Sequence, residues 1–367
     1  MGLPIPIRKV LCIRPDNMGD VLMSTPAMRA LKETFNASIT LLTSEQGGAI
    51  ASFIPVVDEV LFFNAPWVQH SGTEAAVSEI AERLSAGGFD MAVIFTVSSQ
   101  NPLPSAMLAY MAGIPIRVAY CRENPYRLLT HWIPDPEPLR CMHKHQVQRD
   151  LELVQSVGAY TQDLQLQLEP AIEAGPSLTR KLIKEGLSPD GNWCLLHPGT
   201  RDLRRKLPVH TWVDMGLALR RKLRMPLLLT GSAEDAAEVR EMQQRIGAGC
   251  YALAGKLQLG EFIHLVSRSA LLISINSLPL HVAAAVQTPV VALYAKTNPQ
   301  HLPWMVPSAT LFFDVGADQR SRNEILQFMH RHYRWEGPPV STENVITAVQ
   351  ELLGSSKSRS AAATTVS

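Results

Sequence analysis

Short apolar runs alternate along the chain with longer stretches whose apolar positions recur three and four residues apart. The first kind predicts buried strands and the second amphipathic helices. Residues 8–14 form an apolar run, and Pro15-Asp16-Asn17-Met18-Gly19 reads as a turn. Val21, Leu22, Met28, Leu31 and Phe35 then share the inner side of a helical stretch. Strands are predicted at 38–43, within 56–63 and at 90–95, and helices at 75–85 and 104–111. Residues 124–143, rich in Pro and Arg, break the pattern and read as an irregular loop. A helix over 145–157 stops at Gly158.

A second alternating series starts at Trp193. It predicts strands at 193–196, 226–230, 251–253, 270–275 and 289–294, separated by helices at 213–223, 233–246, 260–267 and 279–286. The stretch 163–190, with Pro170, Pro176 and Pro189, reads as the linker. Strands alternating with helices imply a parallel sheet covered on both faces. The expected architecture is therefore α/β, with two Rossmann-like domains facing a central cleft. Their boundaries are placed at 1–165 and 166–354. The Ser- and Ala-rich tail 355–367 is expected to be disordered.

Ligands of open parallel sheets lie beyond the carboxyl ends of the strands. That rule singles out the loops at 15–20, 197–206, 231–234, 255–256 and 276–281. A length of 367 residues with 46% hydrophobic and 18% charged side chains suits two packed domains. The net charge of +1 argues against a nucleic-acid partner. Five scattered cysteines without a Cys-x-x-Cys pair fit a reducing cytoplasm better than a disulfide or zinc framework. No secretory signal is visible, and no apolar run is long enough to span a bilayer. A lipid substrate would have to be reached from the membrane surface.

Several residues in these loops carry candidate chemistry. Asp20 is either a general base facing the cleft or a first-turn acid favoured by the helix dipole. Thr200, Arg201, Arg204, Arg205 and Lys206 follow a strand and can meet a diphosphate; the alternative is an exposed basic loop. Glu234, after Gly231, can accept from a ribose or simply start a helix. Ser277, Leu278 and Pro279 open a helix whose free N–H groups suit a phosphate, and His281 is a ligand contact or a half-buried histidine. No metal is expected, since there is no His-x-x-x-His and no Asp-x-Asp. Neither a Gly-x-Gly-x-x-Gly turn nor a Gly-x-Ser-x-Gly elbow occurs, which disfavours a dinucleotide oxidoreductase and a serine hydrolase.

Taken in order, these segments resemble the ADP-heptose–lipopolysaccharide heptosyltransferase family. The resemblance rests on the opening run from Arg14 through Asp20 to Lys32, on His197-Pro-Gly199-Thr200, and on Thr230-Gly231 with Glu234. Leu253-Ala-Gly-Lys256, His281-Val-Ala-Ala-Ala285 and Thr297-Asn-Pro299 extend it. It implies a GT-B fold with the acceptor on the N-terminal domain and the nucleotide sugar on the C-terminal one. It also implies an inverting, metal-independent transfer with no cofactor, from ADP-heptose to a lipopolysaccharide-core or similar glycan acceptor. The place would be the cytoplasm, with peripheral contact at the inner membrane.

Asp20 matches the family's general base, and Arg205 or Lys206 the cation that steadies the leaving diphosphate. Gly199, Thr200, Arg201, Gly231, Glu234, Lys256, Asn276, Ser277, Leu278, Pro279 and His281 match its donor-binding positions. The sequence departs from the family where Asn-Asp-Ser/Thr-Gly is usual: here Ile275-Asn276-Ser277-Leu278 stands. That leaves a changed donor, or a non-catalytic binding protein, as alternatives.

Overall fold

The computed structural model describes residues 4–68, 73–137, 144–189, 191–316, 320–321 and 323–364. The chain divides into two compact units. One is Met1–Glu169 with Arg322–Tyr333, the other Pro170–Ser321 with Arg334–Ser367.

In the first unit β1 (Lys9–Ile13) leads into α1 (Met18–Met23) and α2 (Thr25–Phe35). The helical stretch predicted as one piece is thus two, parted at Ser24. Pro26 at the start of α2 has no N–H to continue the α1 ladder. Then follow β2 (Ser38–Thr43), the short α3 (Glu45–Gly48), β3 (Glu59–Phe62), α4 (Glu74–Gly87), β4 (Met91–Ile94) and α5 (Leu103–Met111). β5 (Ile116–Cys121), β6 (His131–Pro134) and α6 (Gln146–Gln155) complete the series. The region expected to be an irregular loop therefore contributes the edge strand β6. Its sheet order is β3-β2-β1-β4-β5-β6, with every pairing parallel.

The second unit opens with α7 (Ala174–Lys184), a helix inside the expected linker. Its Pro176 falls in the first turn, where a missing N–H costs nothing. β7 (Cys194–His197), α8 (Val209–Lys222), β8 (Leu227–Leu229), α9 (Ala236–Ile246), β9 (Cys250–Ala252), α10 (Leu259–Ser267), β10 (Leu271–Ile275), α11 (Leu278–Ala285) and β11 (Val290–Ala295) match the expected alternation. β12 (Ser308–Phe313) adds a strand beyond those expected, which ended at 289–294. The order is β12-β11-β10-β7-β8-β9, again all parallel. Counted from each unit's own first strand, both sheets have the order 3-2-1-4-5-6.

α12 (Glu324–His332) belongs to the first unit, where Met329 is buried and the Ser98 hydroxyl lies 3.8 Å from its sulfur. α13 (Thr342–Thr364) returns to the second and buries Val345, Ala348 and Val349. Its helix runs through most of the tail expected to be disordered, and Ala361-Ala362-Ala363 are the strongest of helix formers.

Candidate active site

Strand order reverses between β1 and β4 in one unit and between β7 and β10 in the other. The crevice at such a point is where doubly wound sheets take ligands. Asp20 lies after β1, and Thr200, Arg205 and Asn276 lie after β7 and β10.

In the first unit Arg14 directly follows β1 and is fully buried. Its guanidinium is 3.3 Å from Asp16 Oδ2 and 3.4 Å from Asp20 Oδ1. Burial pulls the Arg14 pKa down, but Asp16, Asp150 and Asp20 more than offset it and the net direction is up. Asp150, on α6, is buried and accepts from Ser24 Oγ at 2.7 Å and from Gln146 Nε2 at 2.8 Å. Burial raises its pKa against the pull of Arg14. Asp16 accepts from Gln100 Nε2 at 2.5 Å, just beyond β4. Its carboxyl is pushed up to about 6 by burial, with Arg14 opposing.

Asp20 sits at the third position of α1, and its Oδ2 accepts the Asn17 N–H at 3.3 Å. Asp20 is thus a first-turn acid and also part of a buried ionic group. Its side chain is 13% exposed, against 7% for Asp16 and 1% for Asp150. Asp20 is the carboxylate of the group most open to a ligand.

In the second unit the loop after β7 carries Gly199, Thr200 and Arg201, then a 3-10 turn over Leu203–Arg205. The Thr200 hydroxyl accepts the Asp202 N–H at 3.2 Å, and Arg201 is exposed. Arg205 and Lys206, which the sequence could not separate, diverge. Arg205 Nη1 donates to the Asn276 carbonyl at 2.9 Å, bridging the loops after β7 and β10. Lys206 instead pairs with Glu238 on α9, at 2.8 Å. Lys256 pairs with Glu185 at 2.7 Å.

Asn276 is held by its neighbours. Its amide is buried, accepts the Ala295 N–H at 3.0 Å and donates to the Ala295 carbonyl at 3.2 Å. The side chain thus extends the β10–β11 pairing by one rung, and only its backbone carbonyl meets Arg205. Ser277 precedes α11, Leu278 is half-buried, and Pro279 occupies the first turn. His281 is buried, with its ring centroid 6.2 Å from that of His301.

Glu234 is exposed, and the neighbouring Asp235 takes the inward place. A Cβ on Gly199 would fall 2.5 Å from Asp235 Oδ2, and one on Gly231 2.9 Å from Asp235 Cβ. The same carboxylate oxygen accepts the Ser232 N–H at 2.8 Å and its hydroxyl at 2.7 Å. Gly255, with φ +73°, brings the third loop against Ala233. Asp235 is what sequence reasoning missed, while His197 was quoted there only as part of a motif. His197 shares a hydrogen bond with Thr230 Oγ1 at 3.0 Å, and burial depresses its pKa to about 4 although Asp235 pulls the other way. The adjacent Glu234-Asp235 pair was the available signal, but spacing alone did not say which acid turns inward. Among the described residues no group of His, Cys, Asp and Glu is arranged to hold a metal.

The model of glycosyltransferase family 9 (heptosyltransferase) matches residues 77–356. Lipopolysaccharide heptosyltransferase 3 of Escherichia coli is 24% identical over 344 residues, covering 91% of this chain and 95% of that protein. Among solved structures, the E. coli ADP-heptose lps heptosyltransferase II superposes with a TM-score of 0.70 at 21% identity. That match covers 95% of this chain and 99% of that one. The family 9 glycosyl transferase from Veillonella parvula gives 0.77 at 19% identity, covering 96% and 99%. These two likenesses establish the GT-B type of α/β fold, with a parallel six-stranded sheet in each unit. The match over most of the chain establishes more, for the chain belongs to glycosyltransferase family 9, the heptosyltransferases, and is a glycosyltransferase.

Proposed function

We propose that the chain moves a heptose from ADP-heptose to a lipopolysaccharide-core acceptor by single displacement, with inversion and without a metal. In this reading the acceptor hydroxyl attacks the anomeric carbon, the bond from that carbon to the diphosphate oxygen breaks, and the hydroxyl proton passes to Asp20. The transition state has oxocarbenium character. The observation that carries the reading is the placement of Asp20: the most open of three carboxylates around a buried arginine, at the carboxyl end of β1 where the strand order reverses. The names of the similar proteins support the donor and acceptor.

Arg205, rather than Lys206, would stabilise charge growing on the departing diphosphate, together with Thr200 and the N–H groups at the start of α11. Gly199 and Gly231 would let the Asp235 carboxylate pack against their loops, and Gly255 would let its loop meet Ala233. We place the reaction in the cytoplasm, at the inner membrane face. Among the described residues no helix is long and apolar enough to cross a membrane.

The test is Asp20→Asn in an assay of nucleotide release from ADP-heptose with a core oligosaccharide. Turnover should fall by about 100-fold or more, with calorimetric affinity for ADP kept within a few fold. Wild-type turnover in the variant would remove Asp20 from the mechanism. A second reading, a different nucleotide sugar, is favoured by the commitment of the Asn276 amide to Ala295 and by the half-buried Leu278. Release from a UDP-, GDP- or dTDP-sugar but not from ADP-heptose would select it.

A further inference from the structure

Arg14 ranks with Trp193 and Trp212 among the bulkiest fully buried side chains, yet it carries a charge. Its backbone is set by the sheet, since its N–H donates to Leu42 O at 2.9 Å. One guanidinium there answers three carboxylates, Asp16, Asp20 and Asp150. Arg149, the other cation facing Asp150, is spent on Asp135, to which both of its Nη atoms donate at 2.9 Å. Folding does not call for that ratio. A buried ion pair scarcely repays its desolvation, and further carboxylates add cost without adding a cation. Nor is the guanidinium fully used in hydrogen bonds, because its buried Nη1 has no acceptor among the described residues.

The arrangement suits the aiming of Asp20. Arg14 Nη2 lies 3.4 Å from Asp20 Oδ1, while the Asn17 N–H donates to Oδ2 at 3.3 Å, so different groups hold the two oxygens. Arg14 Nε faces Asp16, which Gln100 fixes in turn. The helix that bears Asp20, α1, has only six residues. Ser24, at its far end, donates to Asp150 on α6 at 2.7 Å. α6 is tied to the sheet just beyond β4, where Gln146 Nε2 and Arg149 Nε donate to Thr96 O at 3.2 and 3.0 Å. Both ends of α1 are thus clamped. Burial works the same way, for it raises the carboxyls of Asp16 and Asp150. A proton taken up by the group goes first to these enclosed acids, and the Arg14 charge remains for Asp20.

We propose that Arg14 is the positioning residue of Asp20, holding its carboxylate charged and in place for the acceptor hydroxyl, with Asp16 and Asp150 seating the guanidinium. The proposal rests on the reading of Asp20 as the general base. Arg14 touches no substrate in this role and acts only through Asp20. A base whose direction is fixed before the acceptor arrives loses less in orienting at the moment of attack.

The experiment follows nucleotide release from ADP-heptose with a core oligosaccharide, and ADP affinity by calorimetry, in the full chain. Arg14→Lys keeps a cation in the seat but loses the Nη2 contact, so kcat should fall by about tenfold. KM for ADP-heptose and the ADP affinity should stay within about threefold. Arg14→Gln/Asp150→Asn removes the cation and an enclosed acid together, which spares the fold an unpaired buried charge. Its kcat should fall by about 100-fold. In an Asp20→Asn background, Arg14→Lys should lower kcat by less than about twofold, because the two residues act as one unit. Should the paired variant fail to fold, Arg14→Lys and its combination with Asp20→Asn decide alone. Wild-type kcat in Arg14→Lys, with Asp20→Asn impaired, overturns the inference and leaves Asp20 as the base. A full further loss in the Asp20→Asn background overturns it too, since Arg14 would then act elsewhere. No release by the wild type, or wild-type turnover by Asp20→Asn, overturns the general-base reading and this inference with it.

Discussion

At the residue scale, the divergence of Arg205 and Lys206 is the sharpest addition to the sequence. Arg205, paired with Asp202 at 3.2 Å, reaches the loop after β10, whereas Lys206 is paired with Glu238 on α9. Arg205→Ala should weaken ADP binding by about 10- to 100-fold, the loss of a charge-assisted contact to phosphate. Lys206→Ala should change it by less than about threefold, and calorimetry would show an inverted order if the assignment is wrong. Two adjacent cations in a loop cannot be told apart by spacing, because a 3-10 turn sends consecutive side chains in different directions.

His197 gives a pH-dependence of defined sign. It is neutral when folded down to about pH 4, whereas an unfolded histidine takes its proton near 6.5. Over that window the unfolded chain binds more protons, so stability rises with pH and is lost as pH falls. His197→Gln should flatten the acid-side fall in the thermal midpoint between pH 6.5 and 4. An unaltered slope would mean that the ring is not held neutral.

At the scale of elements, the sequence was most legible where strands are buried on both faces and helices are amphipathic. β1, β2, β4 and the strands from β7 to β11 fall where apolar runs predicted them. What escaped was masked by local chemistry. β5 contains Arg117, a charge that interrupts the run but is answered by backbone carbonyls in the folded chain. β6 is a half-exposed edge strand ending at Pro134, which an edge tolerates. α12 is short, and its apolar face of Ile325, Leu326, Phe328 and Met329 was passed over. The positions of the site loops followed from topology, while the inward turn of Asp235 and the burial of the Asn276 amide depend on packing that no spacing encodes. Gly199→Ala tests the loop after β7. The added methyl meets the Asp235 carboxylate, so ADP affinity should fall by about tenfold or more, whereas an unchanged affinity would show that the loop gives way.

At the scale of the molecule, each unit repeats the same six-strand order. The first unit nevertheless takes its last helix from near the end of the chain. Met329→Ala should cost about 2 to 5 kcal/mol, the usual loss for a buried methionine, and should do so in the unfolding of the first unit. A melt that leaves the first unit unaffected would show α12 to be dispensable.

That borrowed helix has a meaning for synthesis. A ribosome releases residues of the first unit early, yet it must still make Pro170–Ser321 before α12 exists. At about 5–20 residues per second that is roughly 10 to 30 s. Through that interval the nascent unit carries an unfilled seat beside Ser98, so its completion is timed by translation rather than by its own folding rate. A stop codon late in the message would therefore injure the part of the protein that was made first.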